Sequence, residues 1–259
     1  MSKNQRNYLF NKKRCSLKKE KSLVYILSFF LVLLIVGVGL ISLRVYRNNL
    51  SSSKIRVGVI DGYSTDESKF KLSKRTYAHS STSYEEHANV VWSVLSKHID
   101  NKNLDCFEYN VIEENGNIER NNLLKALNKA ESDQVNIINF SGGFYVEDQE
   151  IKEKINNLIK KGVVFVAAAG NNSQGMADFP ARMNNVISVG SKNDKKISEF
   201  SSIKHVDIYE QGEAVMYKGK KFEGTSFAAP KVTNKIISYS INNQVSLLKA
   251  KETVVKEKK

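Results

Sequence analysis

The sequence predicts an α/β domain built on a mainly parallel central sheet and preceded by one transmembrane helix. Three observations predict it. From Ile55 onward, short and nearly continuous apolar runs alternate with amphipathic stretches, the pattern of a parallel sheet covered on both faces. Ser22 to Leu43 is a run of 22 residues without a charged side chain, and as a helix it spans roughly 33 Å, enough for a bilayer core. A hydrophobic content of 41% over 259 residues leaves room for one sizeable domain and an appendage.

The N-terminal 54 residues divide into a basic segment (1–21), the apolar run (22–43) and a short polar linker (44–54). Eight basic residues, Lys3 to Lys21, precede the run, and Arg44, Arg47, Lys54 and Arg56 follow it. The heavier basic side places residues 1–21 in the cytoplasm and the domain outside, as a single-pass protein of the cell membrane. A cleaved signal peptide is the rival reading. The run exceeds the usual ~7–15 residues, and no Ala-x-Ala site follows it. The linker, fully extended, reaches at most about 40 Å, which keeps the domain near the membrane. Residues 1–54 hold 11 of the 40 Lys and Arg and one acid, which leaves the other 205 residues at a net +3. The overall charge of +13 therefore gives no basic face for nucleic acid. On this topology Cys15 and Cys106 lie on opposite sides of the membrane, so no disulfide is expected.

Within the domain (55–241), Ile55 to Ile60 reads as the first strand. A helix follows from about Glu86 to Lys97, with Val90, Val91, Val94 and Leu95 on one face. Cys106 to Val111 is strand-like, with Cys106 a small buried apolar residue. A helix runs through Leu123, Leu124 and Leu127. Val135 to Asn139 is a strand, Ile151 to Ile159 a helix and Val163 to Ala167 another buried strand. Val186 to Val189 and Val206 to Ile208 add shorter strands. A last helix starts at Ser226 and reaches about Tyr239. Residues 242–259 are polar and basic and read as a fraying tail.

Ligand sites in such sheets lie beyond the carboxyl ends of the strands. Asp61 directly follows the first apolar strand, and in isolation it equally suits a turn with Gly62. His87 opens the first amphipathic helix, where a surface histidine is the plain alternative. Asn171 ends Val166-Ala167-Ala168-Ala169-Gly170-Asn171, just past a buried strand, a place that also suits a turn asparagine. Ser141-Gly142-Gly143 follows the strand ending at Asn139, and its two glycines let an extended peptide lie along the backbone. Gly224-Thr225-Ser226-Phe227-Ala228-Ala229-Pro230 presents a hydroxyl at a helix start, where free N–H groups favour developing negative charge. Each has a structural explanation alone. Together they place an acid, a base, an amide and a hydroxyl at one sheet edge in the order Asp, His, Ser. That order differs from those of chymotrypsin-like and α/β-hydrolase triads.

These segments resemble the motifs of the subtilisin-like serine peptidases, the subtilases of peptidase family S8. The likeness covers about residues 55–240. It also includes Phe179-Pro180-Ala181, Val186 to Gly190 and Phe200-Ser201-Ser202, and Phe227 stands where the family commonly has Met. The resemblance implies a three-layer fold and a serine endopeptidase. Ser226 is then the nucleophile, His87 its general base, Asp61 the residue orienting His87, and Asn171 the oxyanion donor. Ser141, Gly142, Gly143 and Gly170 then bind a peptide or protein substrate. The implied work is limited processing of an exported peptide or protein. The alternative is a catalytically impaired peptide-binding or sensing module on the same fold.

Two segments depart from the family pattern. Gly62-Tyr63 follows the aspartate in place of Thr or Ser then Gly. His87-Ala88-Asn89-Val90 replaces His-Gly-Thr-His, and the Ala88 methyl is expected to narrow the cleft. No cofactor is implied, and no calcium cluster is evident. Only residues 44–54 separate the apolar run from Ile55, so no inhibitory propeptide is expected there. Oligomeric state is not encoded in any recognisable feature.

Overall fold

The computed structural model describes residues 31–39, 54–66, 70, 72–77, 84–113 and 115–256. Two compact units are separated at Leu50 and Ser51. In the first, residues 31–39 form a helix, α1. The remainder of the expected 22–43 span lies outside the described residues. Among the described residues no helix is long and apolar enough to cross a membrane.

The second unit is an eight-stranded sheet between two helical layers. The strands are β1 (Ile55–Asp61), β2 (Leu72–Tyr77), β3 (Leu104–Asn110), β4 (Ile137–Phe140), β5 (Val164–Ala168), β6 (Ile187–Asn193), β7 (Lys196–Ile197) and β8 (Ile208–Gln211). Their order is β2-β3-β1-β4-β5-β6-β7, with β8 also paired to β6. Every pairing in the sheet is parallel except the β6–β7 hairpin. The helices are α2 (Glu85–Leu95), α3 (Arg120–Ser132), α4 (Gln149–Lys160), α5 (Thr225–Asn243) and α6 (Leu247–Lys256). A separate hairpin, β9 (Val215–Tyr217) and β10 (Lys220–Phe222), precedes α5.

Strand side chains alternate between two cores, as a two-fold pleat requires. Val57, Val59, Val164, Val166 and Ala168 join Trp92, Val232, Ile236 and Ala250 on one face. Ile60, Tyr109, Ile138, Phe165 and Ala167 join Leu123, Leu127, Ile155 and Leu158 on the other. Both faces are dry, which is why β5 reads as an unbroken apolar run. Cys106 is 1% exposed, and burial pushes its thiol up to about 12, consistent with a packing residue.

The expected fraying tail is corrected. Residues 247–256 form α6, because Leu247, Ala250 and Val254 recur at helical spacing and dock that face into the core. The lysines point the tail's polarity outward without preventing the fold. The edge strand β2 and the β9–β10 hairpin were not anticipated either: one is only partly apolar, and the other is two three-residue strands around Lys218-Gly219.

Candidate active site

β1 lies between β3 and β4: the chain fills the β2–β3 side first and then crosses from β3 through α3 to β4 on the other side. The crevice beyond the carboxyl end of such a strand is the natural ligand position. Asp61 is the last residue of β1, and its side chain is fully buried. Its Oδ1 accepts the Gly62 N–H at 2.6 Å and lies 2.8 Å from His87 Nδ1. A carboxylate at Nδ1 accepts a hydrogen bond from the N–H of that nitrogen, so the neutral ring carries its proton there and leaves Nε2 as an acceptor. Burial pushes the His87 pKa down, but the charge of Asp61 and its hydrogen bond push it up. The net result is a raised value.

His87 sits in the first turn of α2, and three side chains tie that helix to the loop after Asp61. Asn89 Oδ1 accepts from Ser64 Oγ at 2.8 Å and from the N–H groups of Thr65 and Asp66, each at 2.9 Å. Glu108 on β3, fully buried, accepts from Trp92 Nε1 at 3.0 Å and from the Ser64 N–H at 3.1 Å. The two departures noted in the sequence thus have local substitutes. Asn89 clamps the loop from the position where the family has Thr. Ala88 is fully buried and does not line the cavity beside His87, so the expected narrowing of the cleft does not occur there. At Gly62 the reason is steric. A Cβ there would stand 2.9 Å from the Tyr84 carbonyl oxygen and 3.0 Å from the Tyr84 Cβ. Among the described residues no hydroxyl reaches Asp61 Oδ2, which is buried without a hydrogen-bond partner there.

The serine end is built on the start of α5. Gly224 precedes the helix at φ 149°, a backbone conformation that favours glycine. Thr225 donates both its N–H and its hydroxyl to Asn171 Oδ1, each at 3.0 Å. Only an oxygen accepts from a backbone N–H, so this pair orients the amide and leaves Asn171 Nδ2 free to donate. The position of a Cβ on Gly224 lies 3.5 Å from that Nδ2. Ser226, in the first helical turn, belongs to the set of N–H groups with no intrahelical acceptor. Its hydroxyl donates to the Ser141 carbonyl at 3.2 Å. The next residue, Phe227, packs its ring on His87 with centroids 5.1 Å apart. This ring contact brings the start of α2 against the start of α5.

Ser141 follows β4, and its Oγ donates to the Ser226 carbonyl at 2.9 Å. That carbonyl lacks a helical donor because Pro230, four residues on, has no N–H. Gly170 is held from both sides: its N–H donates to Thr225 Oγ1 at 3.1 Å, and its carbonyl accepts from Ser202. Beside His87 runs a cavity of about 720 Å³ along Ser141, Gly142 and Gly143, walled by Tyr84, Ile112, Ile118 and Phe144. The sequence-predicted Asp61, His87, Asn171, Ser226, Ser141, Gly142, Gly143 and Gly170 thus converge on one end of the sheet. Sequence reasoning missed Tyr84, Asn89 and Asp178, the last of which stands against Gly143 and Gly170. Their roles depend on contacts across the chain, which leave no local signal.

Comparison with known proteins identifies the family. The subtilase family model matches residues 98–252, a stretch that holds Asn171 and Ser226 and begins after Asp61 and His87. The chain is 36% identical to the major intracellular serine protease of Bacillus subtilis over 132 residues, 46% of this chain and 41% of that protein. It is 22% identical to the minor extracellular protease Epr of the same organism over 61% of this chain and 27% of that protein. The chain thus spans less than half the length of these two relatives. Subtilisin DY of Bacillus licheniformis is 25% identical over 73% of this chain and 77% of its own length. Among solved structures, the prenylagaramide maturation protease PagA superposes with a TM-score of 0.62 at 23% identity, covering 78% of this chain and 82% of its own. A lanthipeptide protease gives 0.62 at 19% identity over 80% and 81% of the two chains. These structures share the fold. The family match over more than half of the sequence carries the assignment: the chain belongs to the subtilase family of serine peptidases.

Proposed function

We propose that this protein is a membrane-anchored serine endopeptidase that uses Ser226, His87 and Asp61. The observation that carries the reading is the 2.8 Å contact between His87 Nδ1 and buried Asp61, on a histidine that packs against the residue following Ser226. Ser226 Oγ attacks the scissile carbonyl carbon while its proton passes to His87 Nε2. The oxyanion accepts from Asn171 Nδ2 and the Ser226 N–H. Collapse breaks the C–N bond as His87 returns the proton to the leaving amine. Water then repeats the sequence and releases the acyl group. Asp61 holds the ring in the productive tautomer and stabilises the imidazolium.

The uncharged run 22–43 with its basic flanks supports an anchor that holds the domain outside the cell membrane. The folds shared with a maturation protease and a lanthipeptide protease support limited processing of an exported peptide. A second reading, peptide binding without turnover, is favoured by the Ser226 hydroxyl donating to Ser141 rather than to His87. Incubating the full-length chain with a peptide library and reading the fragments by mass spectrometry separates the two. Peptidase activity yields discrete cuts that Ser226→Ala abolishes. Retention of intact peptides without cuts supports the binding module.

A further inference from the structure

A second cavity, of about 890 Å³, lies between the end of α2, the middle of α5 and β9. None of Asp61, His87, Asn171 or Ser226 lines it. Ser96, which does, is nine residues beyond His87, about 13 Å along the helix axis.

Its polar wall is cationic. Lys97, Lys231 and Lys235 line it with His98 and Asn234, and among the described residues no carboxylate does. Lys231 and Lys235 stand four residues apart on α5 and so share a helix face, where like charges repel. Glu210, buried on β8, pairs with Lys235. Among the described residues Lys97 and Lys231 form no ion pair. Burial pushes the Lys231 pKa down, Glu210 opposes this, and the charges of Lys97 and Lys235 push it down further.

The carbonyls at the end of a helix disfavour an anion. Here they are already engaged. Asn234 Nδ2 donates to the carbonyls of Leu95 and Lys97 at 2.6 and 2.8 Å, and Ser96 Oγ donates to that of Trp92 at 2.8 Å. The lysines therefore set the sign of the field in the cavity. Ile99, Val215 and Met216 supply an apolar wall beside them.

We propose that this cavity binds a small phosphomonoester, its phosphate against Lys97 and Lys231 and its organic part against Ile99, Val215 and Met216. A phosphomonoester carries close to two negative charges at neutral pH and balances two unpaired ammonium groups; a carboxylate balances one. The volume falls within the range of small-molecule sites, about 300–1,000 Å³, and exceeds what a bare phosphate fills. The bound ester bridges the end of α2 to the middle of α5 and stabilises the folded chain by mass action. The inference does not depend on the peptidase reading.

Thermal unfolding of the full-length chain in detergent tests it, with phenyl phosphate, inorganic phosphate, benzoate or chloride at matched ionic strength. Phenyl phosphate is expected to raise the midpoint by about 5–10 °C once it is roughly a hundredfold above its dissociation constant. Inorganic phosphate and benzoate should give smaller rises. Lys231→Gln relieves the crowding of like charges, so in chloride it should unfold no earlier than the wild type, yet it should lose the phenyl phosphate shift. Lys97→Gln, at an exposed position, should lose most of that shift too. Lys125→Gln removes an exposed lysine from α3 and should keep all of it. A wild-type midpoint unmoved by phenyl phosphate, an equal rise with benzoate, or a shift retained in Lys231→Gln and Lys97→Gln overturns the inference. An equal rise with inorganic phosphate overturns the ester in favour of free phosphate.

Discussion

Ser141 and Ser226 exchange hydrogen bonds: Ser141 Oγ donates to the Ser226 carbonyl at 2.9 Å, and Ser226 Oγ donates to the Ser141 carbonyl at 3.2 Å. The pair continues inward, since Asn139 Nδ2 donates to Ser141 Oγ and Thr233 Oγ1 donates to Asn139 Oδ1, both at 3.0 Å. A buried polar chain therefore fixes the start of α5 against β4. It substitutes for the helical bond that Pro230 cannot make.

Ser141→Ala removes the donor to the Ser226 carbonyl and the acceptor for Asn139. Urea unfolding is expected to show a loss of about 1–2 kcal/mol. Turnover is expected to fall as well, because the position of the candidate nucleophile then rests on fewer contacts.

Gly62→Ala tests how the aspartate and histidine are aligned. The new methyl meets the Tyr84 backbone, and Tyr84 immediately precedes α2. A shift of that helix start moves His87 away from Asp61. A displacement near 1 Å costs on the order of 10² in kcat/KM, measured on a variant whose circular dichroism matches the wild type.

In the proposed mechanism the acid limb of kcat/KM reports His87, because a general-base histidine works only when neutral. Because its pKa is raised in the folded state, activity should fall as pH drops through a value above that of an ordinary histidine. Asp61→Asn removes both raising influences and leaves burial, so the limb should move to lower pH while kcat drops about 10⁴-fold. The same shift has a stability consequence of defined sign. The contribution of the charged pair is fully present below the unfolded histidine pKa and is lost as pH rises through the folded one. A pH–rate profile of both proteins checks the first statement, and thermal unfolding across the same range checks the second.

Val254→Ala tests the docking of α6. Removing most of a buried side chain should cost about 2 kcal/mol in chemical denaturation. A terminal segment that merely frayed would give no change.

Much of the site was legible because its residues sit where local pattern is strongest. Asp61 and Asn171 close apolar runs, and His87 and Ser226 open helices, so strand ends and helix starts could be read without contacts. What was illegible depends on distance in the chain. α6 hid its apolar face among lysines, and β9 and β10 are too short to show a period. Asp178 lies in no periodic stretch, and only the fold places it against Gly143 and Gly170. Tyr84 precedes its helix without a capping side chain, yet its backbone is what makes Gly62 necessary.

The most direct test is labelling of the purified full-length protein with a fluorophosphonate, which forms a covalent bond only with an activated serine. The account predicts a single modified residue, Ser226, with labelling abolished in Ser226→Ala and strongly reduced in His87→Ala. A folded wild-type protein that takes up no label would contradict it.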